Sequence, residues 1–568
     1  MDRDQAGRED LVRWREAFPS NYYETNPNLA RVLSFHLGSR AFRAVEPRLR
    51  EFGRQMAEVV DPSVQTVERF RQLPALLGHD AFGTQTELID FHPAYHRAAE
   101  AVWNSGMLVA EHEGEGVFEL VALFYLLSHA GEGGQACPVV CTIGLARALE
   151  HRGSPELQRR YLGGLRSSDY QRCHRGSQFL TEVQGGSDVG ANAAIAAPGA
   201  EAGAWRISGE KWFCSVADAD LFAITARPIG AAEGTAGLGC FLVPRTLDGQ
   251  TPNNFRIRRL KDKLGTRALP SAEIEFDGAV GWAIGPVDEG FHVAVEELLD
   301  TSRWLNAVGS TGIMRRTYLE AATFASSRQA FGRAIASFPI VREQLADMKS
   351  KEYGALASTL ALTKLIDRIG REVADENERS AYRLLVNANK YVTSIDATDV
   401  VHQGIEVLGG NGTIEDFSPL PRLYRDSIVF ESWEGTHNVL CAQVQRDCVR
   451  LGLLDRVLAW QRAELASAGE GAGGDGLVVA DASERVGARL KRSLADVQQV
   501  SAHFRRQLGD LVRVIQATCL LVEAANTQDP EKTAVASFFI RRQLLVGYQP
   551  EDDPEWSNLV DRVLGDSD

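Results

Sequence analysis

From Gly290 onward apolar residues recur at helical spacing. Phe291, Val295, Leu298 and Leu299 stand at i, i+4, i+7 and i+8, and Val341, Leu345 and Met348 repeat the pattern. This texture predicts helices to about residue 460. Residues 1 to about 175 also read mostly helical, broken at turns such as Asn26-Pro27 and Glu132-Gly133-Gly134. Between them the period changes. Trp205–Ser208 and Lys211–Cys214 flank Gly209-Glu210 and read as a hairpin. Phe222–Thr225, Phe241–Val243 and Ile274–Phe276 read as further short strands, punctuated by Gly and Pro as in a small barrel or sandwich.

Ala466–Gly474 is rich in Gly and Ala and reads as a flexible connection. Beyond it Val486, Leu490, Leu494, Val497, Phe504 and Leu508 keep one apolar stripe over several turns, a packing face. The expected order is therefore an N-terminal helical domain (1–175), a central β domain (176–288), a helical bundle (289–460) and a helical extension (461–568). The fold class is mainly α with a central β domain.

With 568 residues the chain exceeds what one core serves, which agrees with several domains. A net charge of -15 argues against a general nucleic-acid binder, whose footprint would be basic. After residue 450 there are 13 Lys/Arg against 18 Asp/Glu, so duplex DNA is not the expected partner, despite Arg505-Arg506 and Arg541-Arg542. No run of about 18 apolar residues predicts a membrane span, and the charged start MDRDQAGRED lacks a signal-peptide core. Eight dispersed cysteines suggest packed thiols in a cytoplasmic setting. Cys137 and Cys141 lack the further ligands of a zinc set, so no metal is expected.

Three segments carry candidate chemistry. Leu180–Asp188 (LTEVQGGSD) opens the β region; Gly185 and Gly186 permit close backbone approach to a ligand, and Thr181 and Ser187 add hydroxyls. A surface turn is the competing reading. Glu406–Gly412 (EVLGGNG) is followed by Glu431–Thr436 (ESWEGT), in which Glu434 stands between bulky Trp433 and flexible Gly435. A carboxylate with apolar neighbours can act as a base near neutral pH, although a loop Glu taken alone is usually solvated. Asp300–Arg303 (DTSR) is followed by Arg328–Gly332 (RQAFG), whose Arg328 could pair with a diphosphate, or merely with a surface carboxylate.

In order and spacing, TEVQGGSD, GEKWFCS, DTSR, RQAFG, EVLGGNG and WEGT resemble the acyl-CoA dehydrogenase superfamily over residues 90 to 450. FHPAYH, GEKWFCSVADAD, LKDKLGTRA and LPRLYRD bring the resemblance closest to its AidB-like branch of flavoproteins. The resemblance implies an N-terminal helical domain, a β-barrel and a C-terminal four-helix bundle, assembled as a homotetramer or homodimer. It implies FAD, held by Gln178, Leu180, Thr181, Gly186, Ser187, Phe213 and Ser215 on the β side. Arg328, Phe331, Glu406, Gly409, Gly410, Thr436 and Asn438 would complete the cofactor contacts. Ser187, Asp300, Arg303 and Gly435 would touch the substrate, an acyl-CoA or carrier-protein thioester.

Glu434 would be the base in an α,β-dehydrogenation with hydride transfer to flavin N5, and an electron-transfer flavoprotein would take the electrons. A DNA-associated stress protein, or a flavin oxidase or monooxygenase on the same scaffold, are the alternatives. Glu406 departs from the glutamine common there, and Val183-Gln184-Gly185 from the common Pro-Gly-Ala.

Overall fold

The computed structural model describes residues 3–495 and 497–565. They form two compact units. One gathers the chain up to Glu58, Glu115–Gly131 and the chain from Asn306 onward; the other gathers Val59–Gly114 and Glu132–Leu305. The units interleave along the chain, whereas sequence texture suggests four consecutive stretches. Texture reports local period, not which distant segments share a core.

The second unit holds most of the β structure. Strands β1 (Ala75–His79) and β2 (Gln85–Asp90) pair as an antiparallel hairpin within the region expected to be mostly helical. Its tip is an Asx turn: Asp80 Oδ1 accepts from the N–H groups of Phe82 and Thr84 at 2.8 and 2.9 Å, and Gly83 supplies φ +78°.

Strands β3 (Gly176–Phe179), β4 (Ile195–Pro198), β5 (Ala204–Ser215), β6 (Leu221–Pro228), β7 (Gly239–Pro244), β8 (Phe255–Leu260) and β9 (Ser271–Ala283) build the barrel. The ring runs β6-β4-β5-β9-β7 and closes by β7 pairing with β6; β3 adds to β6 and β8 to β9. Closure pairs every strand of the ring on both sides, while β3 and β8 are each paired on one side. The core joins Leu221, Ala223 and Leu242 of the barrel to Leu145 and Leu149 of the helix Ala136–Arg152 and to Leu298.

The expected hairpin at Gly209-Glu210 is absent: β5 runs through it as one strand, pairing Gly209 with Phe276 and Glu210 with Glu275. Gly209 (φ +138°) serves close approach instead of a turn, because a Cβ there would stand 2.7 Å from Ala194 Cα. The register shifts between Lys211 and Cys214, a bulge that carries Trp212 and Phe213.

The first unit is helical. Helices Pro339–Gly370 and Glu376–Leu408 run beside Leu420–Ser432 and the continuation of Asp300–Ser327, around Ile313, Met314, Leu345, Met348, Val400, Val401, Leu420 and Phe430. A capping box of Asp375 and Glu378 starts the second of these helices.

The Gly/Ala-rich stretch expected to be a flexible connection is ordered. It ends the helix Leu453–Ser467, makes a short turn Gly469–Ala472 and starts the helix Gly473–Ala495. Its small residues allow tight packing, since a Cβ on Gly471 would stand 2.7 Å from Ala525 Cβ. The apolar stripe belongs to two helices, not one. Val486 and Leu490 are buried on Gly473–Ala495, and Phe504 and Leu508 on Val497–Thr527; the Val497 side chain lies outside the described residues. Arg513 of the latter helix makes two 2.6 Å bonds to Asp396, fastening the extension to the bundle. Among the described residues no helix is long and apolar enough to cross a membrane.

Candidate active site

In the barrel unit the loop after β3 is built on a buried ion pair. Lys211 Nζ, fully buried on β5, donates to Glu182 Oε1 at 2.6 Å. Glu182 also accepts from the Ala193 N–H and Gln184 Nε2, both at 2.6 Å. Burial pushes the Glu182 carboxyl up, but Lys211 and these donors bring it below its ordinary value. The Leu180 carbonyl accepts from Asn192 Nδ2 at 3.0 Å, and the Thr181 carbonyl from the Trp212 N–H at 2.9 Å, so the loop is tied to β5.

On this frame Gly186 and Ser187 are exposed. A Cβ on Gly186 would stand 3.0 Å from Thr181 Oγ1. Phe213, 55% exposed on the bulge, and its neighbour Trp212 lie under Lys261, whose Nζ is 3.5 Å from the Trp212 ring centroid. Ser215 Oγ is 3.3 Å from Ser271 Oγ. Gln178 donates to Ser302 Oγ at 2.9 Å. Nearby in sequence, Arg303 is buried and paired with Asp300 at 3.2 Å. Exposed hydroxyls, a glycine backbone and flat apolar rings side by side suit the mixed polar and aromatic surface of a flavin.

In the helical unit Glu434 is half-buried in the short connection between the helices Leu420–Ser432 and His437–Leu451. Its φ is +57° and that of Gly435 is +106°. The preceding Trp433 stacks on buried Phe430, with ring centroids 5.1 Å apart. Lys390, fully buried in the helix Glu376–Leu408, donates to the Glu431 carbonyl at 2.8 Å and the Gly435 carbonyl at 3.3 Å. The Glu431 carboxylate bonds His437 Nε2 at 2.9 Å and Thr398 Oγ1. Burial pushes that carboxyl up, but the bonds from His437 and Thr398 outweigh it and hold it below its ordinary value. Thr436 occupies the N-cap position of the following helix without a side-chain capping bond, and Asn438 Oδ1 accepts from Arg505 at 3.1 Å.

The remaining candidates of this unit lie at helix ends. Arg328 follows the helix Asp300–Ser327 and stands 3.8 Å from Asp10. It precedes a tight hairpin of β10 (Gln329–Ala330) and β11 (Arg333–Ala334), turned by Phe331 and Gly332 at φ +53° and +84°. Two positive φ values fit a type I′ turn. They leave Phe331 96% exposed. Glu406 is exposed and accepts from Gln344 Nε2 at 2.9 Å. Gly409 (φ +62°) ends the helix Glu376–Leu408, and both Gly409 and Gly410 have open space where a Cβ would stand.

Sequence reasoning missed Glu182, Lys211, Lys390 and Glu431. Lys211 had a legible signal, sharing the inward parity of Ile207 along β5, whereas Lys390 is one of several polar residues within the buried run Leu384–Thr393. A buried lysine needs an acceptor, and the acceptors are set by tertiary structure.

Comparison with known proteins agrees with this arrangement. Family models match for the acyl-CoA dehydrogenase middle domain at residues 177–279, the acyl-CoA dehydrogenase C-terminal domain at 288–448 and the adaptive response protein AidB N-terminal domain at 15–172. The putative acyl-CoA dehydrogenase AidB of Escherichia coli (strain K12) is 34% identical over 384 residues, 66% of this chain and 69% of that protein. Acyl-CoA dehydrogenase family member 11 of Caenorhabditis elegans is 30% identical over 440 residues, 75% of this chain and 70% of that one.

The crystal structure of Caenorhabditis elegans ACDH-11 in complex with C11-CoA superposes with TM-score 0.85 at 26% identity, covering 96% of this chain and 94% of that one. An acyl-CoA dehydrogenase complexed with FAD from Bacillus anthracis shares the fold, with TM-score 0.71 at 19% identity over 94% of this chain and 89% of that one. The chain thus belongs to the acyl-CoA dehydrogenase family, in its AidB-like branch, as an FAD-dependent oxidoreductase acting on CH–CH groups.

Proposed function

We propose that the protein oxidises the Cα–Cβ bond of an acyl-CoA to a 2,3-enoyl-CoA, with Glu434 as the base. The conformation of Glu434 carries the reading. A non-glycine residue at φ +57° costs about 1–3 kcal/mol and persists only where its surroundings enforce it, a condition that gathers at functional sites. Here the surroundings are the Trp433–Phe430 stack and the Lys390 bonds on either side.

In this reading the Glu434 carboxylate takes the α-proton, and its backbone N–H donates to the thioester oxygen on which negative charge develops. The β-hydrogen departs with its electron pair, leaving the Cα=Cβ double bond. FAD, when bound, would supply the acceptor for that hydride. Thr181, Gly186, Ser187 and Phe213 would hold the cofactor; Ser187, Asp300, Arg303 and Gly435 would contact the thioester ligand. The C11-CoA bound to the nematode relative supports an acyl-CoA in that role. An electron-transfer flavoprotein would then take up the electrons.

The test is an anaerobic titration of the FAD-loaded protein with short, branched and long acyl-CoAs, following the flavin band at about 450 nm. Bleaching by one acyl class, with enoyl-CoA formed in equal amount, is expected. Absence of bleaching by every class would overturn the reading.

A further inference from the structure

We infer that Lys390 is a positioning residue for the base, holding the backbone on both sides of Glu434; this rests on the reading of Glu434 given above. Three observations carry it. First, the lysine is fully buried in the middle of the helix Glu376–Leu408, where an amine must spend its donors on protein acceptors. Second, two of those acceptors bracket the base in sequence: the carbonyl of Glu431 at 2.8 Å and that of Gly435 at 3.3 Å. The Glu431 carbonyl belongs to the last turn of the helix Leu420–Ser432, whose carbonyls lack partners within the helix. The Gly435 carbonyl lies just before the N-cap Thr436 of the next helix. One side chain therefore staples the end of one helix to the start of another, and the loop between them is only a few residues long.

Third, that loop is strained in a way that needs a staple. Glu434 and Gly435 hold φ values of +57° and +106°. Losing the two bonds removes part of what holds Glu434 at positive φ, and relaxation to negative φ redirects its carboxylate. The Glu431 side chain reinforces the same point from below through His437 and Thr398. Misplacing a catalytic group by about 1 Å costs on the order of a hundredfold in rate, so this backbone geometry bears on the chemistry and not on stability alone.

The experiment compares wild type, Lys390→Met and Glu434→Gln as FAD-loaded proteins, with undecanoyl-CoA as the probe. Two readouts are taken. Hydrogen exchange at the amides of residues 432–436 is expected to speed up by at least about tenfold in Lys390→Met, with exchange in β5 and β9 unchanged. Flavin reduction at saturating undecanoyl-CoA is expected to slow by about a hundredfold, with the binding constant for the thioester and the FAD content held.

Unchanged exchange at 432–436 overturns the inference whatever the activity. So does a rate loss that only tracks loss of FAD, because that is a structural effect. If Lys390→Met does not fold, Lys390→Arg, which keeps donors but displaces them, is read in the same way; changes in the same direction support the inference and none overturns it. Rapid flavin reduction in Glu434→Gln would sink the base assignment, while the exchange result still decides Lys390 by itself.

Discussion

The buried Lys211–Glu182 pair offers the sharpest energetic test of how the candidate flavin loop is held. Lys211 Nζ lies 2.6 Å from Glu182 Oε1 and 3.4 Å from both the Leu180 carbonyl and Thr225 Oγ1. Lys211→Met removes all three bonds and leaves a carboxylate at 3% exposure. Breaking a buried pair from one side costs about 3–5 kcal/mol. Glu182 keeps the donors Ala193 N–H, Ala194 N–H and Gln184 Nε2, which places the expected loss near the lower end, about 3 kcal/mol.

Removing both charges is different. Lys211→Met with Glu182→Gln leaves no buried charge and is expected to recover stability to within about 1 kcal/mol of wild type. Urea unfolding followed by tryptophan fluorescence reads overall stability, with Trp205 and Trp212 on β5 among the nine tryptophans that report it. FAD retention reads the loop. A single variant within 1 kcal/mol of wild type, or a double variant as damaged as the single, would refute this account of the loop.

Other expectations follow from the same geometry. Glu431 has a folded-state value below its ordinary 4.5, so its contribution to stability is present above 4.5 and is lost as pH falls through the lower folded value. Melting temperatures between pH 3 and 6 should show that acid-side loss in wild type, and a shallower loss in Glu431→Gln; identical slopes would count against it. Gly290 is buried where a Cβ would stand 2.1 Å from the Cys240 nitrogen, so Gly290→Ala must push backbone apart. It should cost about 3 kcal/mol, seen as a lowered urea midpoint, and a neutral result would show slack between β7 and the start of the helix Gly290–Val293.

How much of this was legible in the chain depends on distance in sequence. The order of helices, barrel and bundle followed from local texture, because Phe222–Thr225 is a short apolar run between turns and Phe291–Leu299 has helical spacing. The motif segments were legible because each is contiguous and resembles a family motif. Gly209-Glu210 misled because a glycine that admits a neighbouring strand looks in sequence like a glycine that turns. Ala466–Gly474 misled because small residues serve close packing as well as flexibility, and only the position of Ala525 distinguishes the two. The supports of the site were the least legible: Lys390 meets carbonyls more than 40 positions away, and Lys211 a carboxylate 29 away. Arg505, from the acidic extension, bonds Asn438 beside the Glu434 loop, a contact that charge counting had no means to reveal.

Removal of the α-proton by Glu434 is tested by the substitution Glu434→Gln. The substitution keeps the size of the side chain and removes its basicity. Rapid mixing of the FAD-loaded variant with the acyl-CoA that bleaches wild type is predicted to show flavin reduction slowed by at least about a hundredfold, with FAD content and thioester binding retained. Reduction at the wild-type rate would contradict the account and require another residue as the base.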